Sequence, residues 1–151
     1  MQIDRDGLEV LDRSECFRLL DGTGLGRIAV TSGALPLVMP VGYVMDGDTI
    51  VVDAGRVLAL EFATAGAVVG FEVDNLHENG HTGWTVMVTG VARAVYDEGD
   101  ATRLRQLFPD GEHGDGHLVR VSCELVSGRR THRRHRHSRS RAAARVAEQR
   151  P

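Results

Sequence analysis

Several β-type segments of the sequence are joined by connections too short for a crossover, and this limits the possible folds. Residues 26–31 (GRIAVT) and 35–45 (LPLVMPVGYVM) are separated by a turn at Ser32-Gly33. Asp46-Gly47 then leads into the β-branched run 49–52, and an Asp-Gly pair supplies the positive φ that hairpin turns require. Because strands joined by tight turns are antiparallel, the sequence predicts an antiparallel sheet rather than a doubly wound parallel one.

Three further strands and three short helices complete the predicted elements. The strands cover residues 67–73, 84–96 and 117–125, and the helices cover residues 13–20, 56–65 and 97–108. Asp12 and Glu15 have the form of a capping box before the first helix, and Gly66 follows the second. Pro40 cannot donate to a ladder, so its strand should be an edge or bulged there, and Gly90 should bend its own strand. About six strands predict a mainly β domain, a small β-barrel with a few short helices.

Charge divides the chain into two parts. Residues 1–128 contain nine Arg and twenty Asp or Glu, a formal charge of −11, whereas residues 129–151 contain nine Arg and one Glu, a charge of +8. We therefore expect one folded domain over residues 1–128 and a disordered Arg/His-rich tail over residues 129–151. Because an acidic body repels nucleic acid, any binding to nucleic acid or another acidic partner should reside in the tail.

The residue inventory excludes several kinds of protein. No apolar run approaches the roughly 20 residues needed to cross a bilayer, and the first ten residues carry acids instead of a basic stretch, so we expect a cytoplasmic protein. The chain contains no lysine, which rules out Schiff-base chemistry and a P-loop lysine. Cys16 and Cys123 lie far apart and lack CxxC spacing, so reduced core thiols are expected.

Two motifs match the residue patterns of known binding sites, but the secondary structure predicted around them differs from that of those sites. The run 22–26 (GTGLG) follows a helix and opens a strand, which reverses the order of a dinucleotide-binding loop. Residues 77–81 (HENGH) match H-E-x-x-H, which holds zinc only when both histidines share a helical face. Asn-Gly is a turn pair and the segment links two strands, so we interpret it as a loop and expect no metal site.

A series of segments in fixed order carries the functional information. SECFRLL, GRIAV, LPLVMPVGYVMDGDTIVV, VVGFEVD, GWTVMVTGVA and the Gly-Arg pair at 128–129 follow one another along the chain. Over about residues 9–130 this series resembles the pyridoxamine 5′-phosphate oxidase-like flavoproteins. The resemblance implies a split β-barrel of the flavin-reductase type that forms a homodimer, with FMN, or the deazaflavin F420 as an alternative, held between the subunits. It also implies a flavin-dependent oxidoreductase acting on an unidentified small molecule.

The irregular strand at Pro40, Val41, Gly42 and Tyr43 is the predicted ring-binding segment. An isoalloxazine ring requires an apolar slot with backbone donors and acceptors, which a strand with an interrupted ladder can offer. Trp84 is expected either on the partner's side of that slot or in the core or dimer interface.

The segment at residues 52–58 (VDAGRVL) stands where the family holds the flavin phosphate with a hydroxyl and a lysine. Asp53 is unfavourable beside a phosphate, and Arg56 is the only local cation. Arg27 is a second phosphate candidate, with a structural ion pair as an equal alternative. The complete set of predicted cofactor-binding residues is Arg27, Pro40, Val41, Gly42, Tyr43, Val52, Asp53, Arg56, Val57 and Trp84.

No side chain is assigned an acid or base role, and two rival functions stay open. One is a non-catalytic protein that binds a flavin or another flat ligand on the same scaffold. The other is an adaptor that uses the tail to bind nucleic acid or an acidic partner.

Overall fold

The computed structural model describes residues 1–55, 66–77, 82–109 and 116–131. In these ranges the strands are β1 (Gln2–Ile3), β2 (Glu9–Leu11), β3 (Leu25–Ser32), β4 (Leu35–Asp46), β5 (Thr49–Asp53), β6 (Val68–Leu76), β7 (Gly83–Ala94), β8 (Leu118–Ser122) and β9 (Leu125–Thr131). The helices are α1 (Arg13–Asp21) and α2 (Glu98–Arg105). The helix predicted over 56–65 lies outside the described residues.

Six strands close into a barrel, and the mainly β prediction is confirmed. Their order is β7, β6, β3, β4, β5 and β8, and β8 pairs back onto β7. Strand β7 also pairs with β9, which continues the sheet through β2 to β1. Every pairing is antiparallel, as the short connections predicted.

Gly90 stands where β7 changes its neighbour from β9 to β8. Residues 83–89 pair with β9, and residues 92–94 pair with β8. A Cβ at Gly90 would lie 1.6 Å from the Ser122 carbonyl oxygen, a distance that no side chain can tolerate. The change of partner therefore depends on the missing side chain.

Helix α1 lies against the main core, to which it contributes Cys16, Leu19 and Leu20. Its predicted cap is confirmed in one half, because the Glu15 N–H donates to the Asp12 carboxylate at 2.8 Å. The other half of the predicted capping box, in which the Glu15 side chain bonds to the Asp12 N–H, is wrong. The Glu15 carboxylate accepts from Arg18 and Arg130 instead.

Helix α2 packs on the outside of the barrel, where a second core forms. Ala101, Leu104 and Phe108 are buried with Val51 of β5 and Leu118 of β8. A cluster of four charged residues surrounds this contact: Asp46 and Asp100 accept from Arg103 and Arg120 at 2.8–3.1 Å. The helix predicted over 97–108 thus exists and is fixed to the barrel, with its helical part ending at Arg105.

The C-terminal part of the described chain differs from expectation. The single strand predicted over 117–125 is two strands, β8 and β9, and β9 continues to Thr131. Arg129 and Arg130 therefore belong to the folded body, which extends to Thr131, three residues beyond the predicted boundary at 128. Arg129 bonds to Asp4 at 2.8 Å, which ties β9 to the chain's beginning. The rest of the predicted tail lies outside the described residues.

None of the helices in the described part of the chain is long and apolar enough to span a membrane.

Candidate cofactor site

Three neighbouring strands present one residue each to form a flat area on the outer surface. Leu25 of β3 pairs with Gly42 of β4, which pairs with Asp53 of β5, so all three face the same side of the sheet. Leu25 is 65% exposed, and a Cβ at Gly42 would meet nothing closer than the Gly24 oxygen at 3.9 Å. Pro40 is exposed on the same face, two residues from Gly42. We call Leu25, Pro40, Gly42 and Asp53 the Gly42 shelf.

The backbone of β4 is available beside this shelf. Residues 35–41 pair with β3 and with no other strand among those described. The Tyr43 N–H donates to the Gly24 oxygen at 3.0 Å, so strand alternation directs the backbone of residues 36, 38 and 40 away from β3. Pro36 and Pro40 have no N–H, and this edge therefore offers mainly carbonyl oxygens together with the Val38 N–H. The position of Pro40 agrees with the predicted edge.

The side chains of Val41, Tyr43 and Val52 point into the barrel, contrary to a role in lining an outer slot. Their exposed fractions are 9%, 1% and 0%. The Tyr43 hydroxyl donates to the Leu20 carbonyl at 2.5 Å, and its ring meets the Phe71 ring edge-on with centroids 4.9 Å apart. Burial raises the pKa of Tyr43 to about 12. These three residues can offer only backbone atoms to a ligand on the shelf.

Trp84 lies at the start of β7, half-buried against the main core. It pairs with Asn75 of β6 and Arg130 of β9. The structure thus supports the core alternative for this residue within one chain, and does not bring it to the shelf.

Arg27 faces outward beside Pro40, its partner on β4. Its guanidinium donates to Glu72 at 2.7 Å and to Asp74 at 2.8 Å. These two carboxylates raise the pKa of Arg27 and together outweigh its charge. Of the two roles left open by the sequence, the structural ion pair is the one that the structure shows.

The predicted phosphate segment begins with a fixed turn at the end of β5. The Asp53 carboxylate accepts from the Gly55 N–H at 2.9 Å, and Gly55 has a φ of 55°. The Ala54 N–H donates to the His117 oxygen at 3.0 Å, and a Cβ at Gly116 would lie 2.4 Å from the Gly55 Cα. The chain before β8 therefore lies directly against this turn. Arg56 and Val57 lie outside the described residues.

Two residues near this surface were not predicted. Leu25 could have been found by alternation, since it stands two positions from the outward-facing Arg27. Arg105 of α2 donates to the Gly116 oxygen at 3.4 Å, and only the tertiary packing of α2 brings it there.

The shelf suits the ring of a flavin better than its phosphate. Its apolar members and the carbonyl-rich edge match a flat aromatic group with a polar rim. Asp53 lies where the sequence predicts the phosphate, and a carboxylate is unfavourable there unless a cation intervenes. Two surface grooves of about 510 and 410 Å³ lie elsewhere, and none of the predicted residues lines either.

The H-E-x-x-H segment falls in the connection between β6 and β7. Leu76 pairs with Gly83, and the His77 N–H donates to the Thr82 oxygen at 2.9 Å. The segment therefore links two paired strands, as predicted, and residues 78–81 lie outside the described residues. The part of the chain that is described contains no group of three or more His, Cys, Asp or Glu placed to hold a metal.

A six-strand antiparallel barrel extended by three further strands defines a protein of the split β-barrel class. Residues 12–130 match the family model described as pyridoxamine 5′-phosphate oxidase. The chain belongs to this family.

Similar proteins come from several bacteria. The uncharacterised protein Rv0080 of Mycobacterium tuberculosis is 37% identical over 128 residues, which cover 78% of this chain and 82% of that protein. The FAD-binding protein of Mycobacterium smegmatis is 30% identical, with a TM-score of 0.64 over 83% of this chain and 99% of the other. An FAD-binding protein of Mesorhizobium loti, 22% identical over 83% and 99% of the two chains, shares the fold with a TM-score of 0.69.

Proposed function

We propose that the protein binds a flavin on the Gly42 shelf and acts as an oxidoreductase on a small molecule. The observation that carries this proposal is the open space above Gly42, between the exposed Leu25 and the β4 edge. An isoalloxazine ring requires an apolar surface on its face and hydrogen-bonding groups at its rim. Family membership and the similarity to the FAD-binding protein of M. smegmatis support a flavin ligand.

FMN is the proposed cofactor, with F420 as the alternative, and FAD is a third candidate because the similar M. smegmatis protein is an FAD-binding protein. All three carry phosphate, so each requires cations near the Asp53 turn. Binding measurements with each flavin separate the three.

A flavin supplies hydride transfer when bound. The shelf contributes one titratable side chain, Asp53, whose carboxylate already accepts from the Gly55 N–H. We therefore assign the described residues a role in binding and orienting, with catalysis resting on the cofactor. A cytoplasmic location also stays a prediction.

A homodimer is part of the proposal, and the outer face of the sheet supports it. Val38, Ala29, Gly70, Thr89 and Leu125 lie side by side across β4, β3, β6, β7 and β9. Val38 and Leu125 are 65% and 70% exposed, and the exposed Val68 and Met87 lie on the same face. Several exposed apolar side chains on one face of a sheet are typical of an interaction site. We propose that a second copy of the chain packs on this face. The face adjoins the Gly42 shelf, so the second copy would enclose a ligand there.

The experiment is a titration of the purified protein with FMN, FAD and F420, followed by flavin absorption and fluorescence. Gly42→Val fills the open space without a backbone clash, so it should leave the melting temperature unchanged and weaken binding at least tenfold. Gly99→Val, which adds the same side chain at an exposed position of α2, is the control and should bind normally.

Failure of all three flavins to bind at micromolar concentration contradicts the proposed function. Equal binding by Gly42→Val and the wild type contradicts only the position of the ring. A bound flavin that no nicotinamide or other small reductant reduces would favour the non-catalytic binding protein.

A further inference from the structure

The phosphate end of the shelf is built from two segments that touch. Gly55 follows Asp53 in the turn, and Gly116 lies so close that its Cβ, if present, would be 2.4 Å from the Gly55 Cα. The His117 N–H also donates to the Gly55 oxygen at 3.4 Å. A side chain that hydrogen-bonds to Gly116 is therefore within a few ångströms of the turn.

Arg105 hydrogen-bonds to Gly116 in this way. Its Nη2 donates to the Gly116 carbonyl oxygen at 3.4 Å, and the side chain is half-buried. A bond to a carbonyl orients the guanidinium without neutralising its charge. Arg103, two residues earlier, donates to the carboxylates of Asp46 and Asp100 instead.

The backbone that carries Arg105 is held firmly. Leu104 is fully buried, and Phe108 is 6% exposed, in the core formed with Val51 and Leu118. Leu118 pairs in register with Asp53. The position of Arg105 relative to the end of the shelf is thus set by packing, which reduces the entropy lost on binding an anion.

The proposed site requires a cation at this point to bind a phosphate. The chain has no lysine, Asp53 adds a negative charge, and Arg27 is engaged by Glu72 and Asp74. We propose that Arg105 binds the phosphate of the flavin and replaces, from α2, the lysine that the 52–58 segment lacks. This inference rests on the proposed function. Guanidinium groups bind phosphate through paired hydrogen bonds, so one arginine can take over a lysine's role.

The test compares ligands that differ in phosphate. Dissociation constants for FMN, FAD and riboflavin are measured with the wild type, Arg105→Gln, Arg105→Lys and the control Arg93→Gln, which changes an exposed arginine of β7. Arg105→Gln should weaken FMN or FAD about tenfold, the loss expected for one charged hydrogen bond, and leave riboflavin unchanged. Arg105→Lys should restore part of the affinity, and Arg93→Gln should behave as the wild type.

Equal weakening of riboflavin and the phosphorylated flavins by Arg105→Gln would show a purely structural role and overturn the inference. Unchanged affinity for all three would also overturn it while leaving the proposed function intact. If the wild type binds neither these flavins nor F420, both the function and the inference fail.

Discussion

The Tyr43 hydroxyl donates a 2.5 Å hydrogen bond to the Leu20 carbonyl oxygen and so joins the middle of β4 to the last turn of α1. Leu20 and Tyr43 are among the least exposed residues of the chain. The bond gives a buried hydroxyl its partner and fixes the helix over the barrel. It also explains why the predicted ring-binding segment turns one of its side chains inward.

Tyr43→Phe should lower the free energy of unfolding by about 1 kcal/mol at pH 7, since one hydrogen bond is lost. The Thr23 N–H stays as a partner of the Leu20 oxygen at 3.4 Å, which limits the loss. Urea denaturation measures the change. A loss above about 3 kcal/mol would mean that the ring packing had also been disturbed.

The buried Tyr43 hydroxyl, bonded to Leu20, also predicts that the free energy of unfolding depends on pH. An unfolded tyrosine ionises near pH 10, whereas folded Tyr43 has a pKa of about 12. The unfolded state therefore releases its proton first, and stability contributed by neutral Tyr43 is present below pH 10 and falls between pH 10 and 12. Tyr43→Phe lacks this component, so its deficit relative to the wild type should shrink over that interval. A constant deficit would contradict the buried, neutral hydroxyl.

Asp46→Asn should lower stability at pH 7 by about 1 kcal/mol, because Asp46 bridges Arg103 and Arg120 on a partly exposed surface. These arginines hold the pKa of Asp46 below the usual 3.8. Its contribution is thus present above pH 3.8 and is lost as pH falls further. Denaturation of the two proteins at pH 7 and pH 2 checks this, with a smaller difference expected at pH 2 than at pH 7. Asp48→Asn, in the adjoining turn, is the control.

Gly90→Ala should destabilise the protein by at least about 3 kcal/mol, since the new Cβ would meet the Ser122 backbone. Gly24→Ala introduces the same group where nothing lies within 4 Å. It should change the melting temperature little. Similar melting temperatures for both variants would show that β7 and β8 can separate at this point.

Val38→Asp should convert the proposed dimer to a monomer, because it places a charge in the outer apolar face. Tyr96 is also apolar and is 83% exposed, but it lies beyond the end of β7. Tyr96→Asp should therefore leave the molecular mass of the dimer in solution unchanged. Light scattering after size exclusion measures both. A wild type that is monomeric at micromolar concentration would contradict the dimer.

A chain ending at Thr131 tests the adaptor alternative without cutting β9. If the tail is the polyanion-binding part, the shortened chain should lose affinity for single-stranded RNA and keep its flavin affinity. Unchanged RNA affinity would exclude the adaptor function.

The hairpins were predictable because their signals are local. Asp46-Gly47 and Ser32-Gly33 identify turns through residue chemistry alone, and the strands on both sides pair as expected. The division between β8 and β9 was not predictable, since Ser122, Cys123 and Glu124 contain no turn signal. The break is imposed by the contact between Ser122 and Gly90, which are distant in sequence.

The candidate site shows the same limit. The sequence indicated the segment around Gly42, and alternation along β4 distinguishes its outward residues from Val41 and Tyr43 once one orientation is known. The role of Arg27 depended on its cross-strand neighbour Glu72, 45 residues away. No local pattern could have decided between its two predicted roles.

The pairing of Arg129 with Asp4 joins residues 125 positions apart and makes the first strands depend on the last one. Among the described strands, β2 pairs only with β1 and β9. During synthesis the N-terminal hairpin has no sheet to join until residue 131 has left the ribosome, and one edge of β7 stays open for the same period. The sheet of the nascent chain is therefore completed only when β9 is available, and until then an exposed strand edge invites association with other chains.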